Sequence, residues 1–180
     1  ISSIILFILK PRLFIYNIFN ILHWVVRVFA TVYILFYLLW GFNYYRMDLI
    51  EIAQMNTEPG TFVDIKGLTT DVIYNLNNLR EQLLEDENGV FYIDEDFKKL
   101  SHIAQDGFEN YIIGNLNLGG NYSNAKPVLS SYYMSYTGIM GIYTPFTFEP
   151  NVNKDIPYHN LLSTISHEMA HQRGFAKEDE

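Results

Sequence analysis

Apolar positions crowd the first 45 residues of the chain and then thin into periodic patterns. Ile1 to Leu9 is apolar apart from two serines. It is too short to span a bilayer and reads as the end of a truncated membrane helix (1–9). Lys10-Pro11-Arg12 breaks the run. Leu13 to Val26 is uncharged, with Asn17, Asn20 and His23 near one face, which predicts an interfacial segment or the start of a tilted span (13–26). Val28 to Tyr45 is uncharged throughout and long enough to cross a membrane (28–45). Trp40, Phe42, Tyr44 and Tyr45 form an aromatic belt at its end, and Arg46 marks the exit. Residues 1–46 are thus expected to anchor the chain and residues 47–180 to form its domain.

Past Arg46 the patterns are those of a folded domain. Met47 to Gly67 is mixed and polar, contains Glu58-Pro59-Gly60, and predicts a connector. Thr69 or Thr70 can cap a helix to Leu84, with Leu68, Val72, Ile73, Leu76, Leu79 and Leu83 on its buried face. A second helix is expected over Asp94–Ile113, with Phe97, Leu100, Ile103, Ala104, Phe108 and Tyr111 inward. Residues 115–124 are rich in Gly and Asn and predict a loop. Ile139–Thr144 and Thr147–Val152 read as strands around Pro145. Asn160 to Gln172 predicts a last helix, with Asn160 or Ser163 as N-cap and Gly174 as left-handed C-cap. The fold class is α+β, a mostly helical domain with a small β-sheet behind an N-terminal transmembrane helix or helices.

Charge adds an orientation. Residues 1–46 hold Lys10, Arg12, Arg27 and Arg46 and no acid, while the rest holds every Asp and Glu of a chain with net charge −8. Basic residues before the span and an acidic domain after it place residues 10–27 in the cytoplasm and the domain outside. The acidic domain argues against a nucleic-acid partner. The chain has no cysteine, which excludes disulfides and Cys-based metal or nucleophile sites. It begins at Ile1 and stops at Glu180 within its most informative feature, and reads as a segment of a longer protein.

That feature is His167-Glu168-Met-Ala-His171 followed by Gly174, Glu178 and Glu180. Residues at i and i+4 share a helix face, so His167 and His171 can direct two imidazoles at one zinc ion. Glu168 can reach a water activated there and act as general base. A chain reversal at Gly174 would return a third ligand to the metal. Lys177 stands where a metzincin would carry His or Asp, leaving a glutamate, as in gluzincins: Glu178, with Glu180 as the alternative. His102 and Asp106 could form a polar pair near the site, although a solvated helix face is the simpler account of them. Tyr136 or Tyr143 could supply a phenol to an oxyanion, or could simply pack. A strand edge beside the motif helix would suit an extended peptide.

Four blocks together resemble the bacterial membrane proteins grouped as domain of unknown function 3810. They are Trp40-Gly-Phe-Asn-Tyr-Tyr-Arg46, Met134-Ser-Tyr-Thr-Gly-Ile-Met-Gly-Ile-Tyr143, Pro145-Phe-Thr-Phe-Glu-Pro-Asn-Val-Asn153 and the stretch from His167 to Glu180. The resemblance implies a zincin-like metallopeptidase domain, with His167 and His171 as zinc ligands and Glu168 as the catalytic carboxylate. Members of that family continue with Ala-Asn, which is similar to the Glu-x-x-x-Asp helix of membrane-bound gluzincins and puts Glu178 in the ligand position. The expectation is a membrane-anchored, zinc-dependent metallopeptidase of the bacterial inner or plasma membrane, with an extracytoplasmic catalytic domain. Its partners would be the lipid bilayer and a peptide or protein substrate. The rival expectations are a non-catalytic binding or sensor module on the same scaffold, and a hydrolase of a non-peptide amide in the cell envelope.

Overall fold

A computed structural model describes residues 11–114 and 116–178. The truncated helix expected over 1–9, Lys10 and Glu180 lie outside the described residues. The chain divides after Phe42 into two compact units, Ile1–Phe42 and Asn43–Glu180.

The described residues of the first unit form one long helix, α1 (Pro11–Leu39), which fits the reading of 13–26 as the start of a longer span rather than an interfacial segment. Pro11 occupies its first turn, where a missing N–H costs nothing. Arg27 is a single charge with no Pro or Gly beside it, so nothing breaks the helix there. Ile15–Leu39 is long and apolar enough to cross a membrane. The span predicted over 28–45 therefore shifts: the α-helix ends at Leu39 and Gly41–Tyr45 is a 3-10 turn.

In the second unit, α2 (Leu49–Ile52) interrupts the predicted connector. Helix α3 (Phe62–Arg80) starts earlier than expected because Thr61 makes a capping box. The Thr61 hydroxyl accepts from the Asp64 N–H, and the Asp64 carboxylate accepts from the Thr61 N–H at 2.8 Å. The predicted burial of its apolar face is not found: Leu68, Val72, Ile73, Leu76, Leu79 and Leu83 are all exposed. Helix α4 (Phe97–Glu109) is capped by Asp96, whose carboxylate accepts from Lys99 N–H at 2.7 Å, and is shorter than the predicted 94–113. A minimal antiparallel pair, β1 (Ile112–Ile113) and β2 (Leu116–Asn117), takes up the end of that prediction and the start of the expected loop.

The main sheet has three strands in the order β3 (Lys126–Pro127), β5 (Glu149–Val152), β4 (Gly141–Thr144). β3 runs parallel to β5, and β4 pairs antiparallel with it from Gly141↔Val152 to Thr144↔Glu149. A short helix the sequence reading does not anticipate, α5 (Ser131–Thr137), precedes β4. Buried Asn153 ties it down, donating to Ser135 Oγ at 3.0 Å and to the Ile139 carbonyl at 3.2 Å. The last helix, α6 (Tyr158–Gln172), packs against β4, β5 and α4. Leu161, Ile165 and Met169 on one of its faces meet Leu100 and Ala104 of α4 with Ala125 and Val152, and this cluster is the core.

Candidate metal centre

The motif lies on α6, and burial of its core face decides where the rest of the helix points. Ile165 and Met169 are fully buried, so the flanking positions His167, Glu168 and His171 emerge along the sheet side. One ligand atom from each of these three lies within 4.8 Å of the others. The two imidazole rings are edge to face, 4.6 Å apart. His171 is buried, and its Nδ1 sits 2.6 Å from the Phe175 carbonyl. A carbonyl only accepts, so Nδ1 carries the proton and Nε2 keeps its lone pair. Among the predicted N-caps neither is used, and Pro157 holds that place.

The helix ends as Gly174 predicts. Gly174 has φ +90°. Its N–H bonds to the His171 carbonyl and the Phe175 N–H to that of Ala170, a Schellman arrangement. The reversal brings Glu178 back over the motif. Its carboxylate lies 3.1 Å from His167 Nε2 and 3.6 Å from His171 Nε2. Both nitrogens thus face one carboxylate, although the Glu178 side chain is 78% exposed and that of His167 41%.

Glu168 is held differently. It is buried, and the Tyr143 main-chain N–H bonds to its carboxylate. Oxygen Oε2 has no hydrogen-bond partner. Desolvation first, and the nearby Glu178 charge second, push its pKa up to about 7 against the pull of the Tyr143 bond. Gly141 on β4 makes room for it: a Cβ there would stand 2.4 Å from Glu168 Oε1. The sequence reading treats Gly141 as punctuation, yet a glycine within a strand is also the sign of a close approach. The cleft has a volume of about 480 Å³, and Ile139, Met140, Ser163 and Thr164 complete its lining with Gly141, His167, Glu168 and Glu178. A second cavity of about 420 Å³, on the α4 side of α6, is walled mostly by apolar residues such as Ile103, Phe108 and Leu162 and has no His, Asp or Glu in its lining.

Two imidazoles and a carboxylate are the donor set that zinc takes in catalytic sites. The buried Glu168 oxygen beside them has no protein partner and is left facing the same donors. The residues present therefore fit a metal ion, which His167, His171 and Glu178 would hold.

The other candidates disperse. His102 contacts Asn124 and lines a separate polar pocket with Asp106. The Tyr136 hydroxyl pairs with that of Tyr132 at 2.7 Å, exposed to solvent. Tyr143 reaches Glu168 through its main chain, and its ring lies 6.5 Å from that of His171. Two arginines escape sequence reasoning. Arg173 is buried between Phe108 (3.9 Å) and Tyr122 (4.4 Å), and donates to the Leu118 and Met169 carbonyls and to Gln105. Arg46, predicted as a bare exit charge, donates to the Arg173 carbonyl at 2.9 Å.

A helix-borne His-Glu-x-x-His with a returning glutamate defines a candidate mononuclear metal site on an α+β scaffold. The chain belongs to the family described as protein of unknown function (DUF3810), which matches residues 1–180. No curated protein and no solved structure matches it.

Proposed function

We propose that the protein is a membrane-anchored, zinc-dependent metallopeptidase with a zincin-like domain. The observation that carries this reading is the buried, unpartnered Glu168 Oε2 beside the converging donors of His167, His171 and Glu178. Zinc held by those three residues would supply a Lewis acid for the scissile carbonyl and make water more acidic.

The chain's own groups account for the rest. Strand β4 pairs with β5 on one side only among the described strands, leaving an edge beside the cleft. An extended peptide can add to such an edge through main-chain hydrogen bonds, which favours a peptide over other amides. Ile139 and Met140, half-exposed in the cleft lining, suit an apolar side chain. Glu168 in its ionised form accepts a proton from water as the oxygen attacks the carbonyl carbon. It then gives that proton to the departing amine as the C–N bond breaks, leaving a carboxylic acid, which keeps the second proton of the water, and an amine. His171 is locked in one tautomer by Phe175 and so keeps a fixed donor direction. The span Ile15–Leu39 would tether the domain to the bilayer, and Lys10 and Arg12 before it favour an outward-facing domain.

The test is peptide turnover and zinc content measured on the same Glu168→Gln protein. Turnover should fall by about two to four orders of magnitude with zinc retained. Unchanged turnover overturns the mechanism. Wild-type protein that holds zinc without any turnover would instead favour a binding or sensor module.

A further inference from the structure

The turn from Arg173 to Glu178 serves the cleft twice. Its Phe175 carbonyl orients His171, and its far end presents Glu178. Its outer side is held by residues that directly follow the 3-10 turn. Arg46 Nη1 donates to the Arg173 carbonyl at 2.9 Å, from 127 positions away in sequence. The guanidinium passes so close to Gly174 that a Cβ there would stand 1.9 Å from Nη1, and its carbon lies 6.0 Å from the Phe175 ring centre. Asp48 forms an ion pair with Lys177, the neighbour of Glu178. Asp48 is itself fixed, since its carbonyl accepts the Glu51 and Ile52 N–H groups at the start of α2.

We infer that Arg46 and Asp48 are positioning residues for the third ligand. This rests on the metal-site reading above. Glu178 is a long, exposed side chain on a turn outside any helix or strand, and free it would sample many conformers. Ordering it at the moment of binding costs affinity, and a turn held in place beforehand avoids that cost. The brace at Arg173–Gly174 and the ion pair at Lys177 hold both ends of the five-residue segment that must deliver Glu178 to the two Nε2 atoms. The metal affinity of the cleft is therefore set in part by a stretch of chain lying between the apolar helix and α2. Gly174 is required twice over, for its positive φ and for the passage of Arg46.

The experiment is titration of the metal-free full chain in detergent with Co²⁺, read by visible absorption. Asp48→Lys and Lys177→Asp should each weaken binding about 10- to 100-fold, the usual range for groups that orient a ligand. The double exchange, Asp48→Lys with Lys177→Asp, should restore most of it. Arg46→Ala should weaken binding, and Arg46→Lys less so. In a Glu178→Ala background none of these changes should add a further loss. Losses of equal size in that background would show the two residues acting through the fold at large, and would overturn the inference. Single variants that bind like wild type would overturn it too, with the metal reading intact. Wild-type chain that binds no Co²⁺ would remove the metal reading and this inference together.

Discussion

Helices α3 and α6 carry comparable apolar stripes in sequence and meet opposite fates. On α6, Leu161, Ile165 and Met169 are buried against α4 and the sheet. On α3, every residue from Phe62 to Arg80 is exposed. The periodicity that makes a helix amphipathic is local, whereas burial needs a second surface of matching shape, and among the described residues α6 has one and α3 does not. Helix α3 depends on its own caps, with Thr61 and Asp64 in a reciprocal box at its start. Helix α6 has no side-chain N-cap bond at all, and its tertiary contacts make one unnecessary. The same contrast explains where chemistry can sit: a rigid buried face holds His167, Glu168 and His171 in register, and an unsupported helix could not.

Substitutions can break this contrast or sharpen it. The largest effect is expected from Met169→Ala, which empties a fully buried position at the centre of α6. It should cost roughly 2–5 kcal/mol, read as a drop in the midpoint of denaturant unfolding. Next comes Glu168→Gln in metal-free protein. Its carboxyl is raised from 4.5 to about 7, so between those values the folded state binds more protons than the unfolded one. Stability should then fall as pH rises through that window, and the substitution should remove the slope. At pH 8, with a chelator present, the variant should be the more stable protein by up to about 3 kcal/mol. A wild-type profile that is flat from pH 5 to 8 would refute this.

Thr61→Ala tests the other helix. Loss of the capping box should destabilise α3 by about 1 kcal/mol, seen as faster amide exchange over its first turns while α6 is unaffected. Smallest is Leu76→Ala on the exposed face of α3, which should shift global stability by no more than about 0.5 kcal/mol. A shift of several kcal/mol there would mean that this face is covered when the protein is in its working state.

Much of the candidate site was legible before any coordinates. His167, Glu168 and His171 declare themselves because a four-residue spacing is a statement about one helix face. Gly174 marks the reversal because few other residues tolerate its φ. The two strands around Pro145 and the helix over the motif were predicted to within a few residues, since period and turn chemistry are local. Of the two readings of 13–26, the start of a longer span is the one that fits: Pro11 is compatible with a first turn, and a lone Arg27 does not end a helix, so α1 runs on past Val26.

What the sequence by itself determined is the longer elements, α1, α3, α4 and α6 with strands β4 and β5, and the residues that share a face within each. Tertiary structure alone decided which faces are covered, as the opposite outcomes for Leu76 and Met169 show. It also decided the approaches between distant residues: Gly141 beside Glu168, Arg173 between Phe108 and Tyr122, and Arg46 over Gly174. No periodicity encodes these contacts, because each joins segments whose separation along the chain says nothing about their distance in space. They come from packing α6 against β4 and α4, where the burial of a few apolar side chains sets the position of every polar group carried on the same backbone.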